Sequence, residues 1–156
     1  MGRGPLALIA AVAMAALLLA GCGGGSDDST SGKSISKEEF IAKADAICKK
    51  GTERLQKAIF TALKNPRNLT KVSEAEQIKI VTTAMVPNVS REAEELRALG
   101  IPDGDEEKVD AMITALEEGV ETAEQDPKVV TESSDAVFGI SSRIAAEYGL
   151  EACGSR

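Results

Sequence analysis

The sequence contains no histidine and no tryptophan, and three phenylalanines and one tyrosine are its only aromatic residues. Histidine serves in most hydrolase triads, in haem sites and in many zinc sites because its ordinary pKa lies near neutral pH. We therefore expect no catalytic residue of those types, no metal site and no cofactor. The formal net charge of −7 also argues against a nucleic-acid partner, which would require a basic surface.

The longest apolar run lies near the N-terminus, from Leu6 to Ala20 behind Arg3. It is too short to span a bilayer, which needs about 20 residues, and small residues follow it as in a cleaved signal peptide. The stretch Leu19-Ala20-Gly21-Cys22 resembles the lipobox of bacterial lipoproteins. That resemblance implies that Cys22 carries a diacylglyceryl group and becomes the first residue after cleavage. The alternative is an ordinary secretory signal that leaves Cys22 as a spare thiol.

Three cysteines are an odd number for an exported protein, and an odd cysteine calls for an explanation. If Cys22 carries lipid, Cys48 and Cys153 remain as an even pair in an oxidising compartment. We expect a structural disulfide between them. A redox-active pair is the alternative, although such pairs usually have C-x-x-C spacing or a neighbour that stabilises the thiolate.

The composition changes along the chain predict three segments. Residues 1–21 are a lipoprotein signal peptide, and residues 22–33 are a Gly/Ser-rich tether with no apolar side chain except that of Cys22. Residues 34–156 form a domain large enough to bury an apolar core.

Within this domain, four amphipathic stripes of helical period predict four helices. Capping boxes at Ser36 and Ser73 begin the first two, and Gly100 and Gly149 end the second and fourth. The stripes consist of Phe40, Ala44, Ile47, Cys48, Gly51, Leu55, Ile59, Ala62 and Leu63; then Ile78, Val81, Met85, Val89 and Leu96; then Val109, Met112, Ile113, Leu116, Val120 and Ala123; and finally Val137, Ile140, Ile144 and Tyr148.

No stretch shows the sustained alternation of a strand, so we expect an all-α fold, an antiparallel up-down-up-down four-helix bundle. Pro87 lies inside the second helix, where it removes one backbone hydrogen bond and must kink or split the helix. A kink of this kind opens a ligand pocket or merely bends the helix around its core, and we expect the second.

Charge is unevenly distributed. Residues 33–71 contain ten basic and four acidic side chains, whereas residues 72–156 contain seven basic and nineteen acidic ones. Glu117, Glu121 and Glu124 fall on one face of the third helix, which predicts either a solvated face or a surface for divalent cations. The basic first helix is either a solubilising face or one that contacts anionic lipid.

The two ends of the domain carry a resemblance to a known group of proteins. The segments 40–50, FIAKADAICKK, and 148–154, YGLEACG, resemble those of uncharacterised small helical lipoproteins of actinobacteria. The resemblance implies a helical extracytoplasmic domain with one disulfide between its N- and C-terminal parts, and it implies no activity.

We therefore expect a lipoprotein that is anchored in the cell membrane through its lipid and faces the extracytoplasmic side. Its expected function is a non-catalytic binding or interaction module, with an envelope protein as one conceivable partner. The alternative is a cell-envelope enzyme that uses carboxylates alone. A buried pair of acids in a concave pocket distinguishes the enzyme from the module.

Overall fold

The computed structural model describes residues 34–63 and 72–155, and within them every regular element is helical. The elements are α1 (Lys37–Ala62), α2 (Glu74–Ile80), a π turn (Val81–Met85), α3 (Val86–Arg97), α4 (Glu106–Gln125), α5 (Pro127–Glu132), α6 (Ser134–Tyr148) and α7 (Glu151–Gly154). The predicted all-α class is confirmed. The predicted signal peptide and tether, and Cys22 with them, lie outside the described residues.

The helix ends follow the capping residues of the sequence. The hydroxyl of Ser36 accepts a hydrogen bond from the Glu39 N–H at 3.1 Å, and Ser73 and Glu76 form a reciprocal capping box. Gly149 ends α6 with a φ of 105°, in the left-handed region that favours glycine. These short-range signals therefore fix where α1, α2 and α6 begin or end.

The long helices pack in an order compatible with a bundle. Helix α4 packs against α3 and α6, and α1 packs against α3 and α7. At one end, the start of α1 also meets the end of α6, where the rings of Phe40 and Tyr148 lie edge to face with centroids 5.9 Å apart. Residues 32–156 form one compact unit, and because the core and the disulfide lie inside it, we expect this fragment to fold by itself.

Pro87 interrupts the α-helical hydrogen bonding of the second predicted helix, as expected. Proline has no N–H, and the helix compensates just before it with the π turn, in which the Val86 N–H donates to the Val81 carbonyl five residues earlier. The segment thus divides into α2, the π turn and α3.

The buried face of α6 agrees with the predicted one at Tyr148, which is buried, and at Val137 and Ile144, which pack against the core, but not at Ile140. Ile140, predicted to lie in the core, is 57% exposed, whereas Phe138 and Ser141 are buried. The reason lies in α4, where Gly119 has no side chain and lets the Phe138 ring approach: a Cβ there would lie 2.6 Å from the ring. The Ser141 hydroxyl donates to the Met112 carbonyl at 2.9 Å, so that buried hydroxyl is satisfied.

The apolar stripe of α1 is buried only in its first half. Phe40 and Cys48 are fully enclosed, whereas Leu55 and Ile59 are half-buried and Ala62 is exposed. Phe60, which lies outside the predicted stripe, is 67% exposed. The second half of the stripe therefore does not pack into the core. It forms one wall of a cavity.

Candidate functional site

A cavity of about 310 Å³ lies between the second half of α1, the first half of α3 and the start of α6. The lining residues are Thr52, Leu55, Gln56 and Ile59 from α1; Met85, Asn88, Val89 and Glu92 from the π turn and α3; Ser134, Asp135, Phe138, Gly139 and Ser142 from α6; and Ser155. The π turn beside Pro87 contributes Met85 to this wall. From the sequence we expected Pro87 to bend the helix around its core and not to open a pocket, so this cavity was not predicted.

The cavity combines apolar walls with one buried carboxyl group. Leu55, Ile59, Val89 and Phe138 supply apolar surface, and the side chain of Glu92 is only 1% exposed. Ligand sites typically have mostly apolar walls and a few precisely placed polar groups. The cavity has this composition.

Glu92 is accommodated by the helix that faces it. Its Oε1 lies 3.4 Å from the Sγ of Cys48, and a Cβ added to Gly51 would overlap its carboxyl group, with the Cδ 3.2 Å away. The side-chain amide of Asn88 donates to the Gly51 carbonyl at 3.0 Å. Gly51 thus makes room for the carboxyl group, and Asn88 fixes α3 against the same turn of α1.

Arg54 lies next to this arrangement but does not line the cavity. Its Nε donates to Oδ1 of Asn88 at 3.1 Å, and its Nη1 pairs with Glu95 at 3.3 Å. The Nη2 is buried and has no hydrogen-bond partner within residues 34–63 and 72–155. Arg54 therefore orients Asn88 and ties α1 to α3.

A second carboxylate, that of Asp135, lines the cavity from the first turn of α6 and is exposed. It lies against Gly139 one turn later, and an acid at a helix N-terminus is favoured by the helix dipole. Glu92 is thus the buried acid of the cavity and Asp135 its solvated one.

The disulfide lies on the core side of Glu92. Cys48 and Cys153 are bonded with their Cα atoms 5.2 Å apart, and both are buried, so the predicted pairing is confirmed. The bond holds α7 on α1, and Asp45 adds a cap by accepting from the N–H groups of Glu151 and Ala152 at 3.1 and 2.8 Å. Because both cysteines are buried, the arrangement fits a structural bridge better than an exchanging redox pair.

The predicted acidic face of α4 is divided in the structure. Arg97 holds Glu117 with two hydrogen bonds of 2.6 Å and also donates to Asp110 at 2.9 Å. The bonds from Arg97 to Glu117 hold the pKa of Glu117 below its usual value. Glu121 and Glu124 are exposed, and the described part of the chain contains no group of three or more side chains placed to hold a metal ion.

A second polar cluster lies at the end of the domain where α1 begins. The Tyr148 hydroxyl donates to Asp105 at 2.7 Å, and the Lys37 ammonium lies 3.5 Å from the same carboxylate and 4.2 Å from the centre of the Tyr148 ring. The hydrogen bond from Tyr148 and the charge of Lys37 lower the pKa of Asp105. Burial, with the bond to Asp105, raises the pKa of Tyr148. This cluster joins α1, α4 and α6.

Glu92 is not among the candidate residues predicted from the sequence, although the sequence contains a signal for it. Val89, Glu92 and Leu96 follow one another at helical spacing, so an acid occupies a position of the apolar stripe. A charge in such a position is almost never buried without a specific environment.

Within the part of the chain that the structure describes, no helix is both long and apolar enough to cross a membrane. No protein-family model, no curated protein and no solved structure matches the chain.

Proposed function

We propose that the protein is a lipid-anchored, extracytoplasmic binding module without catalytic activity, and that the cavity between α1, α3 and α6 is its ligand site. The observation that carries the proposal is the cavity itself. Its volume of about 310 Å³ lies at the lower end of the range for small-molecule sites, roughly 300–1,000 Å³. A ligand there displaces water from apolar walls and meets one buried carboxyl group.

The disulfide supports the proposed location, because disulfides form and persist in oxidising compartments outside the cytosol. The anchor itself rests on Leu19-Ala20-Gly21-Cys22 and on its resemblance to a lipobox. Two acyl chains on Cys22 would hold the protein stably, whereas one chain holds only reversibly.

The position of the cavity within the domain agrees with this arrangement. The proposed tether joins the domain before Ser36, at the start of α1. Leu55 lies nineteen residues further along the same helix, which corresponds to about 28 Å at 1.5 Å per residue. The cavity is therefore distant, along α1, from the point at which the proposed tether joins the domain.

The anchor is tested with Cys22→Ala in the native host. We expect the variant to move from the membrane fraction to the medium or to accumulate uncleaved, whereas the tether variant Ser29→Ala remains in the membrane fraction. A correctly processed Cys22→Ala protein that stays in the membrane would contradict the proposal.

The ligand site is tested with a single tryptophan, since the chain has none of its own. In the 32–156 fragment, Ile59→Trp places the reporter in the cavity wall, and Phe60→Trp places it on the neighbouring exposed position. We expect 1-octanol to shift the emission of the first variant to shorter wavelength in a saturable way and to leave the second unchanged. Equal responses of both variants, or none, would contradict a ligand site.

The alternative, an enzyme that uses carboxylates alone, has weaker support. Two acids line the cavity, but Asp135 is exposed and only Glu92 is buried. Carboxylate catalysis requires two environments that separate the roles of acid and base at one bond, and an exposed aspartate in the first turn of a helix is explained by the helix dipole.

A further inference from the structure

We infer that the cavity binds a single-chain amphiphile of limited length, about twelve non-hydrogen atoms, whose hydrocarbon chain lies inside and whose polar head group stays at the rim. This inference rests on the proposed function of the cavity and adds the class and the size of the ligand. It is carried by the cavity volume and by the distribution of exposed and enclosed side chains on the cavity walls.

The rim of the cavity is polar. Among the lining residues that the structure describes, five are exposed, and all five are polar: Thr52, Gln56, Ser134, Asp135 and Ser155. A head group at this rim keeps its contact with water, so it does not suffer the loss of hydration that makes burial of a polar group costly. The rim therefore accepts a polar head group without a dedicated partner.

The apolar lining residues are less exposed than the rim. Leu55, Ile59 and Met85 are half-buried, and Val89 and Phe138 are buried. They come from four different elements, α1, the π turn, α3 and α6. A hydrocarbon chain that lies between them leaves water, and its affinity rises with each CH₂ group that is covered.

The enclosed polar groups of the lining are already held by other parts of the protein. The Asn88 amide donates to the Gly51 carbonyl, and its oxygen accepts from Arg54. The side chain of Glu92 is 1% exposed and lies against Cys48 and Gly51. A second polar group at the inner end of the chain would lose its hydration beside groups that already have partners, which should weaken binding by roughly tenfold or more.

The volume limits the length of the chain. An apolar cavity of about 150 Å³ holds one benzene molecule, which has six carbon atoms. The cavity between α1, α3 and α6 has about 310 Å³ and on the same scale holds roughly twelve non-hydrogen atoms. Chain atoms beyond that number would extend into water and add no further affinity.

The experiment measures the affinity of 1-hexanol, 1-octanol, 1-decanol and 1-dodecanol for the unsubstituted 32–156 fragment by isothermal titration calorimetry. Up to 1-decanol, we expect the affinity to rise about fourfold for each CH₂ group, which corresponds to about 0.8 kcal/mol. From 1-decanol to 1-dodecanol the total gain should not exceed about fourfold, whereas a site without a length limit would give about sixteenfold. The diol 1,8-octanediol, which must place a second hydroxyl inside, should bind roughly tenfold more weakly than 1-octanol, or weaker still.

A substitution that fills part of the cavity checks that its volume sets the limit. Ser142 lines the cavity and is half-buried. In Ser142→Leu, the limit should move to shorter chains, so that the gain from 1-octanol to 1-decanol already falls to about fourfold or less. Ser90 on α3 is also half-buried but does not line the cavity, so Ser90→Leu should keep the limit of the unsubstituted fragment.

The outcomes separate this inference from the proposed function. If 1-octanol binds but the affinity still rises about sixteenfold from 1-decanol to 1-dodecanol, or if the diol binds as tightly as 1-octanol, the inference is overturned and the cavity remains a ligand site. Binding of none of the alcohols would overturn both. If Ser142→Leu fails to fold, as judged by circular dichroism, the series in the unsubstituted fragment still decides the length limit.

Discussion

Replacing both cysteines of the disulfide, as Cys48→Ala/Cys153→Ala, is expected to lower the free energy of unfolding by about 4–5 kcal/mol. The two residues are separated by 105 positions, and closing a loop of that length reduces the entropy of the unfolded chain by an amount worth about 4.7 kcal/mol at 25 °C. Small domains are stable by only about 5–15 kcal/mol. The variant is therefore expected to lie near the limit of stability.

The structure also indicates which residues should lose order first when the disulfide is removed. Helix α7 has four residues, and isolated helices shorter than about 12 residues are marginal in water. The disulfide and the cap from Asp45 hold it on α1. Without the covalent bond, we expect amide exchange to increase first in Glu151–Gly154 and in the turn of α1 around Cys48.

The measurement is urea denaturation of the 32–156 fragment, followed by circular dichroism, for the oxidised protein, the reduced protein and the double variant. If loop closure is the cause, reduction and substitution produce similar losses. A loss below about 1 kcal/mol in both would refute the reasoning. A large loss in the double variant alone would assign the effect to packing of the two side chains.

Three further predictions concern stability and use the same denaturation assay. Gly119→Ala should destabilise the domain by roughly 1–2 kcal/mol, because the added Cβ would overlap the ring of Phe138. Gly139→Ala is the control: its Cβ would meet only the exposed carboxylate of Asp135, so this variant should be neutral or stabilising by up to about 1 kcal/mol. Equal effects of the two substitutions would contradict the packing of Phe138 against Gly119. Arg97→Lys should lower stability by on the order of 0.5–1 kcal/mol, since lysine cannot make both bonds to one carboxylate; an unchanged midpoint would contradict this. Asp105→Asn should lower stability at neutral pH. Because the pKa of Asp105 is lowered in the folded protein, the difference from the wild type should be full above the ordinary aspartate pKa of about 4. It should decrease below that pH and be lost as pH falls through the lower pKa of the folded state. A difference independent of pH would contradict the assignment.

The parts of the fold that depend on residues close together in the sequence could be predicted from it. Ser36, Ser73 and Gly149 cap helices as expected, because a capping residue acts through atoms within one turn of the chain. The stripe of α4 is buried at every predicted position. The pairing of Cys48 with Cys153 followed from counting cysteines, which needs no geometry.

The cavity could not be predicted in the same way. Leu55 and Ile59 continue the apolar stripe of α1 at the same spacing as the buried Phe40 and Cys48, and the period of a stripe does not reveal whether another element covers it. The prediction that Ile140 of α6 is buried was wrong for a related reason. Gly119 on α4 decides which side of α6 approaches, and that contact joins residues far apart in sequence.

Helix α1 explains how one small domain can keep an open cavity and remain folded. Its first half is held by the Phe40–Tyr148 contact and by the disulfide at Cys48. Its second half is held on one side by Arg54 and Asn88 and lines the cavity on the other. An unfilled cavity lacks the contacts that a packed core would supply. The covalent bond next to it supplies stability that does not depend on filling the cavity, so the cavity can persist where a solid core would otherwise be needed.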